Sequence, residues 1–557
     1  MSARTWGLPG QRHWVVALMV VLGCFLYIPF LENPLIFDDI NIFHTAVLTQ
    51  AAIAPWELGP RGLPYFTLGW VQTQIGSMST HRVLSLGLHL LVSYQLFRFL
   101  ETVLPPDPES ARHPHDANEA APTHWLAVLI AAAFLCHPVA TYAAGYLVQR
   151  TTVCATLFTL LCLRCLLPAL RQNRIGLAAS AAVWASLAIL SKEHSVAVPV
   201  ASLCLVLLVP NPDWKTAKTG GLFLLMSLPA MVFALRTSLH AVGHGYEPGL
   251  QEMESELHAL PSFSGGYERW LFSASHQAEL FFSYWRQWLL PDLRDMSIDL
   301  RVDFLRPWNH AKAWMWIGAW VCAPLIGVAV SLKVRRYKLA AFALAFTAVL
   351  FTVELGTVRL QEPYVLYRSY IWSIGYCTFA AALFAQIPGR LGLICLALAI
   401  PLLLLQSRDR LSSFQTPLAL WQDAAAKLPK LEIAGSGRIL FNLGRERFKS
   451  GDVESAKNLI DQAVLLSPQN GSYRIARANA LLRLARPAEA LLDLEIAKKA
   501  LPRDGRLLFA EYLALSALGR SAEAQSSLLD AELHGSLAAK SELARLRSLQ
   551  GSTAGQK

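Results

Sequence analysis

The sequence is poor in charge. Only 16% of its 557 residues are Asp, Glu, Lys or Arg, while 54% are hydrophobic, a balance that excludes an ordinary soluble enzyme. It also lacks a cysteine framework. The nine cysteines (24, 136, 154, 162, 165, 204, 322, 377 and 395) all lie within apolar segments, so they read as small buried hydrophobes and not as disulfides or a metal cluster. No small-residue cleavage site follows the first apolar run, Trp14 to Phe30, which reads as a retained first span. Beyond residue 405 no run could span a bilayer, and Lys, Arg, Glu and Gln become frequent. Two domains are expected: 1–410 in the membrane and 411–557 outside it.

A span needs about 20 apolar residues. The candidates are 14–31, 82–100, 124–138, 150–170, 175–191, 195–210, 220–237, 312–332, 339–354, 370–386 and 389–406, which predicts an all-α polytopic bundle of about eleven spans. With the amino terminus inside, Arg4, Arg12, Arg98, Arg112, Arg164, Arg171, Arg174, Lys215, Lys218, Lys333, Arg335, Arg336, Lys338 and Arg390 all fall on one side, in agreement with the positive-inside rule. These loops account for the net charge of +10 without invoking nucleic acid, and they fit a lipid bilayer as the main partner. Residues 271–290 interleave Trp and Phe with His276, Glu279 and Arg286. A span there would force 333–338 outside, so an interfacial or re-entrant amphipathic helix is expected.

That topology collects the unusual polar groups on the outer face. They are Asp38-Asp39, Arg61, His81, His137-Pro138, Gln149-Arg150, Lys192-Glu193-His194, the loop 238–311, and Glu354 through Arg368. Two adjacent acids just outside a span are costly unless solvated or used, and a solvated loop is the plain alternative. Arg61 and Arg150 could equally snorkel to the headgroups. Lys192-Glu193-His194 could be a solvated turn or an internal ion pair, and His137-Pro138 a structural helix end. His81 and His89 share a helix face, but a pair alone does not make a metal site, and none is predicted.

The tail repeats with a period of 34. Ala456, Ala490 and Ala524 align, as do Ile460, Leu494 and Leu528, then Ala463, Ala497 and Ala531, while Pro468 aligns with Pro502. The pattern resembles the tetratricopeptide repeat, which implies an α-solenoid with a concave surface for peptides or proteins.

In the membrane half, several stretches stand in an order that resembles one family. They are Arg61-Gly62-Leu63 followed by His81 and His89; Leu135-Cys136-His137-Pro138-Val139 followed by Gln149-Arg150; Leu190-Ser191-Lys192-Glu193-His194; and Tyr364-Val365-Leu366-Tyr367-Arg368-Ser369-Tyr370. They resemble the transmembrane, tetratricopeptide-containing O-mannosyltransferases and their bacterial relatives, of the GT-C class that uses lipid-phosphate sugars. The departures are Ala140 to Ala143 after His-Pro-Val, Gln149 in place of Gly, and His194 in place of Gln. They touch the expected sugar pocket and leave the sugar open.

The resemblance implies a glycosyltransferase of the bacterial inner membrane. It would move a monosaccharide from a polyprenyl phosphate to an acceptor held by the repeats, a protein such as a pilin, on the periplasmic side. Asp38 and Asp39 match the position of the family's catalytic acid, a general base for the acceptor hydroxyl. Arg368, Arg150, Lys192 and Arg61 are expected at the donor phosphate. His137, Gln149, Glu193, His194 and His81 are expected around the sugar and acceptor. No cofactor is expected, and a divalent ion stays open. The alternatives are transfer to lipid A or another envelope glycan, and a non-enzymatic scaffold or transporter. A transporter would be expected to carry internal repeats or broken helices at mid-membrane, and a scaffold has no need of the acid pair and the outer cations.

Overall fold

The computed structural model describes residues 9–104, 121–239, 266–303, 309–387, 390–431 and 433–554. Arg4, Arg112 and the parts 240–265 and 304–308 of the loop 238–311 lie outside the described residues. Those described are helical, with no strand among them beyond the single bridge Leu300 to Tyr364. The chain divides into two units, whose last boundary falls between Thr416 and Pro417.

In the first unit, seven helices among the described residues are long and apolar enough to cross a membrane: His13–Phe30, Met78–Val103, Leu147–Gln172, Trp214–Ser238, His310–Lys333, Arg335–Leu355 and Leu391–Ser412. Thr123–Leu135 and Pro138–Ala144 form an eighth if their 61° bend lies within one span. This is the pattern of a multi-pass membrane protein. The expected eleven spans are therefore seven or eight by length. Ile175–Ile189, Glu193–Leu208 and Ser373–Phe384 are apolar but shorter; extended Lys192 separates the first two, and a tighter 3-10 turn, Leu366–Tyr370, precedes the third. Burial separates inner from outer helices. Leu147–Gln172 is 72% buried in protein, while His310–Lys333 is 6% buried and exposes Leu325, Ile326 and Leu332, an apolar surface that only lipid covers at low cost.

Local chemistry starts the helices. Ser77 accepts the Thr80 N–H at the head of Met78–Val103, and Asp213 with Thr216 forms a capping box for Trp214–Ser238, each satisfying a donor the first turn leaves open. Helix contact is close at Gly375, where a Cβ would overlap Thr347 and stand 2.9 Å from the Ala343 carbonyl. This draws Ser373–Phe384 against Lys338–Leu355, and with it the polar segment between them.

The stretch 271–290 is helical and is not among the helices long and apolar enough to cross a membrane. It belongs to helix Gly266–Leu289, which packs against His310–Lys333, Lys338–Leu355 and Ser373–Phe384, so protein covers its aromatic side. Aromatic and amide tips of this helix hold the irregular segment that begins at Leu355. Trp270 donates to the Leu355 carbonyl, Gln277 to Pro363, and Trp288 to the Ser369 hydroxyl, while Tyr284 both accepts the Val365 N–H and donates to its carbonyl.

The second unit contains three successive helical hairpins. They are Ser436–Lys449 with Val453–Leu466, Gly471–Arg483 with Pro487–Ala500, and Gly505–Ala517 with Ser521–Leu533. All nine small or aliphatic positions that recur every 34 residues are buried, from Ala456, Ile460 and Ala463 to Ala524, Leu528 and Ala531. The period in the sequence is thus the period of the core.

Candidate functional site

The loop after the first membrane-capable helix delivers two acids into the first unit. Phe37 has φ 48°, ψ −121°, a conformation that costs a side-chain-bearing residue on the order of 1–3 kcal/mol. It turns the chain so that Asp38 and Asp39 open the helix Asp38–Phe43. Asp39 is buried, and its carboxylate accepts the Val148 N–H at 2.8 Å and the Leu147 N–H at 3.3 Å. Burial pushes its carboxyl up to about 7, against the opposing pull of those donors. Asp38 is half-buried, and its backbone N–H donates to the Tyr146 hydroxyl at 2.8 Å. Both acids are thereby held to one turn, 146–148, directly before the helix that opens at Arg150.

From that turn the aromatic rings lead to a crevice. Tyr146 meets Tyr367 edge-on, with centroids 5.9 Å apart, and the Lys192 ammonium lies 5.3 Å from the centroid of Tyr367. The crevice is lined by Thr152, Lys192, His194, Glu354, Arg368 and Trp372, among others. Lys192 is buried and donates to Gln149 Oε1 at 2.9 Å and Thr152 Oγ1 at 2.7 Å. No carboxylate among the described residues lies within ion-pair distance of it. Burial, reinforced by Arg61, lowers its ammonium to about 7. A buried cation resting on neutral oxygens and an aromatic face is a site that an anion would stabilise.

The neighbouring charges are paired. Glu354, 1% exposed, is the hub. Arg359 Nε lies 3.2 Å from it, Arg368 3.4 Å and His194 3.6 Å. Arg368 also donates to the Glu362 carbonyl at 3.1 Å and approaches its carboxylate at 3.6 Å. Arg61 clasps Glu193 with two donors, and Glu193 in turn faces His194 Nδ1 at 3.4 Å. Four cations, Arg61, Lys192, Arg359 and Arg368, thus meet three carboxylates, and Lys192 is the cation left over.

The remaining sequence candidates lie around this centre. Gln149 is the acceptor for Lys192. Arg150 is fully buried, and its guanidinium is directed at Ser85, Thr67 and the His81 carbonyl, tying three helices together. His81 meets Gln72 at 3.2 Å. His137 caps Pro138–Ala144 by accepting the Val139 N–H, and stacks on Trp288 at 4.5 Å, which accounts for it as a helix end. Four residues of the network, Glu354, Arg359, Tyr146 and Tyr367, have no role assigned from the sequence, although Glu354 and Tyr367 stand in stretches it marks. The signal for Glu354 was present, since an acid in an otherwise apolar helix needs a partner. No group of three or more His, Cys, Asp or Glu suited to a metal ion occurs among the described residues. No protein-family model matches the chain.

Proposed function

We propose that this chain is a membrane glycosyltransferase of the GT-C class that moves a monosaccharide from a polyprenyl phosphate to a protein acceptor. The observation that carries the reading is Lys192, a buried cation with no carboxylate of its own, set beside Arg368 in a crevice and linked through Tyr367 and Tyr146 to Asp38. A lipid phosphate supplies the anion such a site lacks. Lys192 and Arg368 hold the donor phosphate, with Arg359 and Glu354 keeping Arg368 in place and Arg61 holding Glu193 against the same turn.

In the reaction, the acceptor oxygen bonds to the anomeric carbon and the bond from that carbon to the phosphate oxygen breaks. Polyprenyl phosphate leaves with the electron pair, and the cations stabilise its growing charge. The acceptor proton passes to a carboxylate. Asp38 is that base, because Asp39 spends its oxygens on backbone donors and serves to position the loop. Arg150 holds the helices around the site.

The three shorter apolar helices complete the eleven spans, which sets Asp38, Lys192 and Arg368 on the face opposite the basic loop 333–338. In a bacterium that face is the periplasm, and the membrane is the inner one. The hairpins of the second unit are tetratricopeptide repeats that select the acceptor, a reading supported by their 34-residue core period. The experiment is a comparison of glycopeptides of envelope proteins, pilins included, from cells with and without the gene. Loss of one glycan from a defined set of proteins is expected; identical spectra would contradict the proposal.

A further inference from the structure

A second polar site lies where the first and last membrane-capable helices end. Pro29, Phe30 and Leu405 form the apolar side, and Arg408, Asp409 and Ser412 the polar side, of a cavity of about 400 Å³. The two helix ends are tied together by Asn33, whose side-chain amide donates to the Leu411 carbonyl at 3.1 Å, so the cavity is part of the resting fold. Beneath it both helices present apolar side chains outward. Phe25 and Ile28 are more than half exposed, as are Leu398, Leu402 and Leu405, the last three spaced as one stripe of a helix. A polar cavity at span ends, continuous with an apolar track running into the hydrocarbon, has the shape of a lipid seat.

Its charges narrow the lipid. Arg408 is exposed and has no hydrogen bond or ion pair among the described residues. Asp409 accepts two donors of its neighbour Arg410, Nε–H and Nη2–H, on one oxygen, Oδ2, while Oδ1 has no partner among the described residues. Arg410 itself is buried and also donates to the Met296 carbonyl at 2.7 Å, so it does not supply the cavity's positive charge. The cavity therefore offers one cation and one carboxylate oxygen on adjacent residues. A purely anionic headgroup would meet repulsion from Asp409, whereas a zwitterion satisfies both.

We propose that this cavity seats a phospholipid with a phosphoethanolamine headgroup. Its phosphodiester takes the two-pronged guanidinium of Arg408, its ammonium donates to Asp409 Oδ1, and its acyl chains follow Leu405, Leu402 and Leu398. The site stands apart from the transferase reading and depends only on the two helices crossing a membrane.

Native mass spectrometry of the full chain, delipidated in detergent and titrated with phosphatidylethanolamine, phosphatidylglycerol or phosphatidylcholine, tests it. Wild type is expected to retain one phosphatidylethanolamine on the order of tenfold more tightly than either other lipid. Arg408→Gln should lose binding of all three, with Arg408→Lys keeping part of it. Asp409→Asn should keep phosphate binding but lose the preference for ethanolamine. Melting curves of the variants report folding. Equal retention of the three lipids by wild type, binding that survives Arg408→Gln, or a preference that survives Asp409→Asn would each overturn the proposal. So would displacement of the bound lipid by stoichiometric polyprenyl phosphate.

Discussion

The Lys192 ammonium stands 5.3 Å from the centroid of the Tyr367 ring, and that ring packs against Tyr146, whose hydroxyl accepts the Asp38 N–H. Two tyrosines thus join the unpaired cation of the crevice to the acid of the first loop. The proposed transfer needs this juxtaposition of a phosphate-binding cation with a base, and its two ends are testable separately.

Lys192 should make donor binding depend on pH. Its ammonium is lowered to about 7 by burial and by Arg61, so the free site loses its charge as pH rises through that value. A bound phosphate favours the charged form and moves the midpoint of the complex upward. Donor affinity should therefore fall as pH is raised between about 6 and about 9, and Lys192→Arg, which stays charged, should flatten the profile. Lys192→Gln should bind on the order of tenfold or more weakly at low pH. Titration calorimetry with a short-chain polyprenyl-phosphate sugar reads all three, and a wild-type profile as flat as that of Lys192→Arg would remove Lys192 from the phosphate site.

Arg368 should matter through its shape as well as its charge. Lys at 368 keeps the charge but cannot bond a phosphate oxygen pair and Glu354 at once, so donor binding weakens. Arg368→Ala leaves Glu354 short of a partner and should weaken binding about 30-fold or more. Melting temperatures separate this from misfolding. Donor affinity equal to wild type in both folded variants would mean that Arg368 serves only Glu354.

Asp39 should give the fold a pH dependence of known sign. Its carboxyl is raised by burial from 3.8 to about 7, so the folded state binds that proton more tightly than the unfolded chain. The stabilisation is complete below 3.8 and is lost as pH rises through about 7. Asp39→Asn cannot titrate. The stability of wild type relative to this variant should therefore decline between about pH 4 and about pH 7, and thermal melts that run parallel over that window would contradict the assignment.

Much of this was legible in the sequence, for reasons that differ by residue. Lys192 and Arg368 stood out because a cation beside an apolar run is costly without a use, and the 34-residue period was legible because each hairpin repeats the same core contact. Arg150 was legible as unusual but not in its role, since its partners Ser85 and Thr67 lie 65 and 83 residues away. Glu354 was visible as an acid at the end of an apolar run but its partners were not, because Arg359 and Arg368 reach it through the irregular segment that follows. The aromatic helix 266–289 was legible as an amphipathic helix, but what its aromatic tips bond was not. Trp and Tyr tips that bond headgroups and tips that bond an irregular backbone have the same sequence pattern, and only the 356–370 segment packed against it decides between them.

The sidedness of the membrane part is testable at exposed positions. Thr45 lies in the first loop and Arg336 in the basic loop, and both are exposed. In a chain lacking the exposed Cys322 and Cys395, Thr45→Cys should react with a membrane-impermeant thiol reagent added to intact spheroplasts, and Arg336→Cys only after lysis. Equal labelling of the two before lysis would reverse or abolish the proposed topology.

The most direct test of the transfer mechanism is the release of polyprenyl phosphate from a polyprenyl-phosphate sugar in membranes containing wild type, Asp38→Asn, Asp39→Asn or the double variant, with donor binding measured beside it. Asn keeps the size of Asp but cannot take the acceptor proton. Asp38→Asn should lose on the order of 10²–10⁴-fold in turnover with donor binding intact. Asp39→Asn should lose less, and the double variant should resemble Asp38→Asn. Near-normal turnover by the double variant would show that the acid pair is only a structural loop and would contradict the account at its centre.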